Sequence, residues 1–137
     1  ESLRRTAGTT APLVLATTDP ANPYGAVLPW PDRRGGARPA RTAGSRVVLA
    51  GGACLAYLAR GGQHVVTFLP EDAAARDHAI AAIAEAIAQI ATRHGPVLLT
   101  EIDGAAPDDS PLASALVAAG GHSGYRGLRV APEPADA

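Results

Sequence analysis

Five prolines between positions 20 and 39 limit the folding of this chain more than any other feature. Pro20, Pro23, Pro29, Pro31 and Pro39 have no backbone N–H to offer a ladder, and each fixes its own φ. The stretch can therefore enter neither the middle of a sheet nor the interior of a helix. It is a structured loop at most, and the first half of the chain has to fold around it. The apolar run before it, residues 12–17, reads as a short strand.

The same loop concentrates charge. It holds the chain's single tryptophan, Trp30, and runs into Arg33, Arg34, Arg38, Arg41 and Arg46, with Asp32 the one acid between positions 30 and 46. The local charge there is +5 − 1 = +4 in a chain of net charge −1. Residues 1–69 hold eight arginines and three acids (+5), whereas residues 70–137 hold four and ten (−6). A face for a polyanion is thus expected from the N-terminal half. On that reading Arg33, Arg34, Arg38, Arg41 and Arg46 contact nucleic-acid phosphates. Tyr24 and Trp30 offer stacking faces to unpaired bases, each worth about 1–3 kcal/mol. The competing reading makes the arginines a solvated loop and packs the two rings as the lid of a core that has only five aromatics. Asp19, beside the basic stretch, is the candidate catalytic acid or base; as the residue before Pro20 it also suits an Asx turn.

Beyond the loop the pattern turns regular. Residues 46–50, 53–60 and 63–69 are three β-type runs separated by Gly51-Gly52 and Gly61-Gly62, which suit two-residue hairpin turns. Both faces of the later runs are apolar, with Leu55 and Tyr57 opposing Cys54 and Leu58, so the sheet needs cover on both sides. From Pro70 to His94 isoleucines at 80, 83, 87 and 90 form one helical stripe, with acids at its start, Arg93 and His94 at its end, and Gly95-Pro96 as a stop. Residues 97–102 read as a strand. Asp109 or Ser110 suits the cap of a short helix with Pro111 in its first turn and Gly120-Gly121 at its end, and a last strand falls near 128–130. The expected fold is α+β: an antiparallel meander or half-open barrel, followed by α, β, α, β and packed with one long and one short helix. The expected organisation is one accessory domain over 1–137, with a linker (1–11), a β-rich part (12–69) holding the basic loop 18–45, an α/β part (70–131) and a tail (132–137).

Several chemistries are excluded. All twelve basic side chains are arginines, so neither a P-loop lysine nor a Schiff-base lysine exists in this chain. Cys54 is alone and cannot form an internal disulfide; His64, His78, His94 and His122 lack metal-ligand spacing, and no metal is expected. The run from Gly121 to Tyr125 shares the outline of a nucleophile elbow but lacks its final glycine, and reads as a turn. No stretch approaches the ~20 apolar residues that span a bilayer. A soluble protein of the cytoplasm, cut from a longer polypeptide because it opens on Glu1, is the expectation.

Certain motifs, taken together, carry a family likeness. Asp19-Pro-Ala-Asn-Pro-Tyr-Gly-Ala-Val-Leu-Pro-Trp-Pro31, Ala37-Arg-Pro-Ala-Arg-Thr-Ala-Gly44 leading into Arg46, Ser110-Pro-Leu112, and Gly124-Tyr-Arg-Gly-Leu-Arg129 resemble the extreme C-terminal region of Lhr-type (large helicase-related) bacterial DNA helicases. The likeness covers most of the chain, although the alanine-rich helix adds little to it. It implies a superfamily 2 ATP-dependent translocase whose motor, with its ATP and magnesium, lies far upstream; this chain itself would hold no cofactor. It implies winged-helix modules before this chain, DNA as the partner, single-stranded by preference, and homo-oligomerisation, with the protein associated with the nucleoid and not a membrane. The larger region is similar to a winged-helix class of DNA glycosylases and has been linked to uracil removal, but the Gln-x-Gln motif of their alkylpurine branch is missing here.

Overall fold

A computed structural model describes residues 11–32, 35–36 and 38–131. Strands β1 (Leu13–Ala16), β2 (Arg46–Ala50), β3 (Ala53–Leu58) and β4 (His64–Thr67) form the antiparallel meander read from the sequence. Gly51 and Gly52, at φ +59° and +86°, make the two-residue turn between β2 and β3, a conformation that side chains with a Cβ rarely adopt. The next hairpin is looser than expected. Pairing ends where the Ala59 amide donates to the His64 carbonyl (2.9 Å), because the Gln63 carbonyl is taken instead by the amides of Thr100 and Glu101 (2.8 and 3.2 Å).

That diversion splits the strand expected over residues 97–102. Its first half, β5 (Val97–Leu99), pairs with β8 (Gly127–Val130), and its second, β6 (Glu101–Ile102), joins the meander parallel to β4. The result is a five-stranded sheet in the order β1-β2-β3-β4-β6 and a three-stranded sheet in the order β5-β8-β7. The meander does not curl into a barrel: β1 and β6 remain edges, each with one neighbour. Residues 121–124, read as part of a turn, form strand β7 (Gly121–Gly124), held by register against β8. Nothing in its Gly-His-Ser-Gly composition favours a strand; the partner makes it one.

Helix α1 (Ala73–His94) begins at Asp72, whose carboxylate accepts from the Ala75 amide at 2.9 Å, and Gly95 ends it. Ile83, Ile87 and Ile90 point into a core completed by Val48, Leu58 and Leu128. Helix α2 (Leu112–Ala118), whose first amide donates to Ser110 Oγ (3.1 Å), contributes Leu112 and Leu116 to the same core. Each such buried aliphatic side chain contributes about 1.5–3 kcal/mol.

Among the described residues no helix packs on the other face of the large sheet. Val47, Leu49, Cys54, Tyr57 and Val66 form a second apolar cluster there, covered by Tyr24 and Trp30 from the proline loop. Strict alternation would put Leu55 with Tyr57 and Cys54 with Leu58, yet Cys54 lies with Tyr57, and Leu55 with Leu58. A bulge is responsible: Val48 faces Ala56 while Leu49 faces Cys54, so β3 has one extra residue and changes phase at that point.

Cys54 reports on this second cluster. Burial pushes its thiol from 9.0 up to about 12, so the folded state keeps a proton that the unfolded chain gives up. The stability this contributes is complete below pH 9.0 and is lost as pH rises from there towards about 12, at up to about 1.4 kcal/mol per pH unit. Thermal melts across that range should show Cys54→Ala losing less stability with alkali than the parent. Equal slopes for the two proteins contradict the burial.

Candidate nucleic-acid interface

The proline loop is held by hydrogen bonds from side chains to backbone, since its sequence allows no ladder. Thr17 follows β1, and its amide donates to the Ser45 carbonyl (3.0 Å). The hydroxyls of Thr17 and Ser45, both fully buried, lie 2.6 Å apart and reach the Thr42 carbonyl at 3.1 and 2.8 Å. Asn22 is 1% exposed. Its amide nitrogen donates to the carbonyls of Thr17 (2.9 Å) and Tyr24 (3.3 Å), and its oxygen accepts from the Tyr24 N–H (3.1 Å). A buried amide with every partner in place fixes one loop conformation, because the alternatives leave polar groups unpaired.

Asp19 forms the Asx turn: Oδ1 accepts from the Ala21 N–H at 2.8 Å, and the Asp19 carbonyl accepts from the Asn22 N–H at 2.9 Å. Arg41 reaches into the loop from the other side. Its Nη1 donates to the carbonyls of Asn22 (2.7 Å) and Tyr24 (3.0 Å), and Nη2 lies 3.5 Å from the Asp19 carbonyl. The guanidinium thereby ties three carbonyls of the turn together, adding a donor to those of Asp19 and Tyr24 and supplying the one donor that the Asn22 carbonyl has among the described residues.

The aromatic rings sit above this clamp. Tyr24 donates its hydroxyl to the Gly52 carbonyl (2.9 Å), which fastens the loop to the β2–β3 turn. The Tyr24 and Trp30 rings stack at 6.4 Å and 29°, and Trp30 meets Tyr57 edge-on at 5.7 Å and 71°. Gly25, at φ +82°, allows this arrangement, since a Cβ there would lie 2.7 Å from Trp30 Nε1. Beyond Trp30 an open depression of about 780 Å³ is lined by Trp30, Pro31, Asp32, Arg38 and Pro39. The loop is pinned again at Gly35-Gly36, where a Cβ on Gly36 would come within 2.8 Å of the Gly104 amide nitrogen. Asp103, next to that contact, sits at φ +55° and accepts from Thr67 N (2.7 Å) and Thr67 Oγ1 (2.6 Å).

The expected site residues therefore separate. Trp30 and Arg38 share the depression, and Tyr24 is beneath Trp30. Arg41 is committed to backbone carbonyls. Arg46 lines a cavity with Val14 and the end of α1, on the opposite face of the sheet. Asp19 caps a turn. Arg33 and Arg34 lie outside the described residues. Sequence reasoning passed over Tyr125, which is 99% exposed at the tip of the β7–β8 hairpin beside Arg126; the flanking Gly124 and Gly127 were its only signal. Asp103, which no sequence motif marks, joins two segments 36 residues apart through its carboxylate. Ser123 donates to the Asp108 carboxylate (2.7 and 2.9 Å), a surface hydrogen bond and not a nucleophile with its base. Among the described residues no group of three or more His, Cys, Asp and Glu could hold a metal ion, and no helix is long and apolar enough to cross a membrane.

The described residues form an α+β domain with an irregular loop clamped across one sheet face, and the chain holds no lysine. Its sequence is 41% identical over 125 residues to the Lhr helicase/probable uracil glycosylase of Mycolicibacterium smegmatis. It is 33% identical over 120 residues to the Lhr helicase/uracil glycosylase of Escherichia coli. These alignments take in 86% and 85% of this chain and 8% of each relative. The chain belongs with the Lhr-type helicases, as a short segment consistent with their C-terminal region. No family model matches it.

The clamp makes a direct prediction. Arg41→Ala leaves the Asn22 and Tyr24 carbonyls without their cationic donor and should cost about 1–3 kcal/mol in chemical denaturation. The ring packing of Trp30 should loosen with it, seen as a red-shifted tryptophan emission. Arg41→Lys should recover less than half of the loss, because one ammonium does not reproduce the planar fork. An unchanged denaturation midpoint in Arg41→Ala would remove the clamp from the account.

Proposed function

We propose that this chain is an accessory DNA-binding module of an Lhr-type ATP-dependent helicase acting in DNA repair, and that it holds single-stranded DNA across the proline loop. One observation carries the reading: Trp30 and Arg38 line the same open depression on the face of the sheet that no helix covers. A base that enters the depression meets an indole already held by Tyr24 and Tyr57, so stacking orders little that was free before. Arg38 supplies a phosphate contact at the same place. Asp32, on the same rim, opposes anions and limits the affinity of this small patch. ATP hydrolysis is assigned to the motor elsewhere in the helicase, because this chain has no lysine.

A catalytic reading rests on Asp19. Both relatives carry uracil glycosylase in their names, and one carboxylate oxygen of Asp19 caps the Asx turn while the other makes no hydrogen bond among the described residues. Asp19→Asn keeps an Asx side chain for the turn and removes the acid. Lost uracil excision by the full helicase, with ATP hydrolysis and folding intact, would place Asp19 in base removal; unchanged excision would exclude it. A docking reading rests on the groove of about 650 Å³ between α1 and α2, lined by Ala81, Ala84, Ala88, Ala115 and Ala118. Small residues there let another surface approach closely. Sedimentation of the helicase with and without this segment separates docking from DNA binding.

The DNA reading is tested by fluorescence anisotropy of the 137-residue chain with a labelled single strand. The logarithm of the binding constant should fall with the logarithm of salt concentration, at a slope of about −0.7 per phosphate engaged. Arg38→Ala should reduce the slope by about one such increment, and Trp30→Leu should weaken binding about 5- to 150-fold, the loss of ~1–3 kcal/mol of stacking. Binding that ignores salt, or that neither variant alters, would refute the reading.

A further inference from the structure

We propose that a cavity on the other side of the five-stranded sheet is a seat for a single phosphate-type oxyanion, bound by Arg46, Arg93 and His94. The cavity measures about 80 Å³ and is lined by Val14, Arg46, Gln89, Ile90, Arg93 and His94. Arg46 opens β2, and on that strand Val48, two residues on, packs into the α1 core, so Arg46 shares the α1 side. Arg93 and His94 form the last turn of α1. Two segments more than forty residues apart in sequence thus bring two arginines and a histidine to the lining of one small space.

Helix electrostatics accounts for only part of this. Basic residues in a last turn complement the carbonyl end of the dipole, which explains Arg93 and His94. It does not explain Arg46, a strand residue that lines the same cavity as Arg93 with no carboxylate in the lining. Among the described residues none of the three makes a side-chain hydrogen bond or an ion pair; the ion pair found there joins His64 and Glu101. Gln89, in the cavity lining, donates its Nε2 to Glu85, one helical turn back, at 3.4 Å. Like charges that converge without a counter-ion repel, and an anion between them reverses the sign of the interaction.

Size and shape narrow the ligand. A volume of about 80 Å³ is two to three times the ~30 Å³ that one water occupies in the liquid. It admits one tetrahedral oxyanion and excludes a nucleobase or a sugar. Arginine forks match the oxygens of phosphate in a bidentate way, and the Gln89 amide adds a neutral donor. Val14 and Ile90 supply the apolar part of the lining. The phosphate belongs either to the backbone of a nucleic acid that passes this edge or to a free inorganic ion. Since Trp30 and Arg38 are on the opposite face, the seat stands whether or not the proline loop binds DNA.

The test uses the 137-residue chain, with inorganic phosphate as the probe and chloride at matched ionic strength as the control. Melting temperature should rise with phosphate, and the His94 imidazole resonances should shift in the same titration. Arg46→Gln/Arg93→Gln should abolish both responses. Arg93→Gln alone, on an exposed final turn, should weaken phosphate at least about tenfold, the effect of losing one charged hydrogen bond, and serves if the double variant folds poorly. Arg38→Ala should leave both responses unchanged, which separates this seat from the proline loop. Displacement of phosphate by a single strand would assign the seat to nucleic-acid backbone, and phosphate that stays bound alongside DNA would assign it to the free ion. No phosphate response in the parent chain, or an equal response in Arg46→Gln/Arg93→Gln, overturns the proposal.

Discussion

A sheet that is apolar on both faces has to be covered twice, and in this chain the second cover is a loop that can form no regular structure. Helix α1 closes one face in the ordinary way, with isoleucines against valines and leucines. The other face, from Val47 to Val66, is closed by Tyr24 and Trp30. Neither ring stays in place through a ladder, because the prolines around them remove the donors. They stay because Asn22, Thr17, Ser45 and Arg41 satisfy the backbone of the loop from the side. The polar network is therefore a condition of the apolar core, and loss of either exposes the other.

The same constraint divides the arginines. Five in a short, nearly acid-free stretch look equivalent in sequence, yet a cation near unpaired carbonyls is drawn inwards while one on a rim stays in water. Arg41 is the first kind, and its charge serves the fold. Arg38 is the second, beside Trp30. Arg46 lies past the point where the chain enters β2, and strand alternation sends it through the sheet to the end of α1. The basic loop read as one surface is thus three environments. Its net charge overstates the charge that any one ligand meets.

Most of the architecture was legible because it depends on local pattern. Periodic isoleucines, acids at the start and the Gly95-Pro96 stop mark α1, and Gly51-Gly52 marks a hairpin. The failures share a cause, which is that non-local pairing decided them. The sequence of 97–102 is a plausible single strand, but the competing demand of the Gln63 carbonyl breaks it between two sheets. Gly121–Gly124 has no strand character of its own and becomes β7 through β8. The bulge at Leu55 altered which residues share a face, a one-residue change that alternation alone cannot register. Of the candidate site, the pairing of aromatics with the loop was readable from Tyr24 and Trp30. Which arginine faces inward was not, since that depends on carbonyls whose positions only the folded turn defines.

Hydrogen exchange tests the central claim, that the proline loop is a fixed cover of the core and not a solvated connection. The amides of Thr17, Asn22, Gly25 and Leu28 each donate to a backbone carbonyl, at 3.0, 2.9, 2.8 and 3.0 Å. If the loop opens only when the second cluster opens, these four exchange in native conditions about as slowly as the β2 and β3 amides, with the same dependence on denaturant. If they exchange near unprotected rates while β2 and β3 remain slow, the loop is not part of the core, and this explanation of the fold is contradicted.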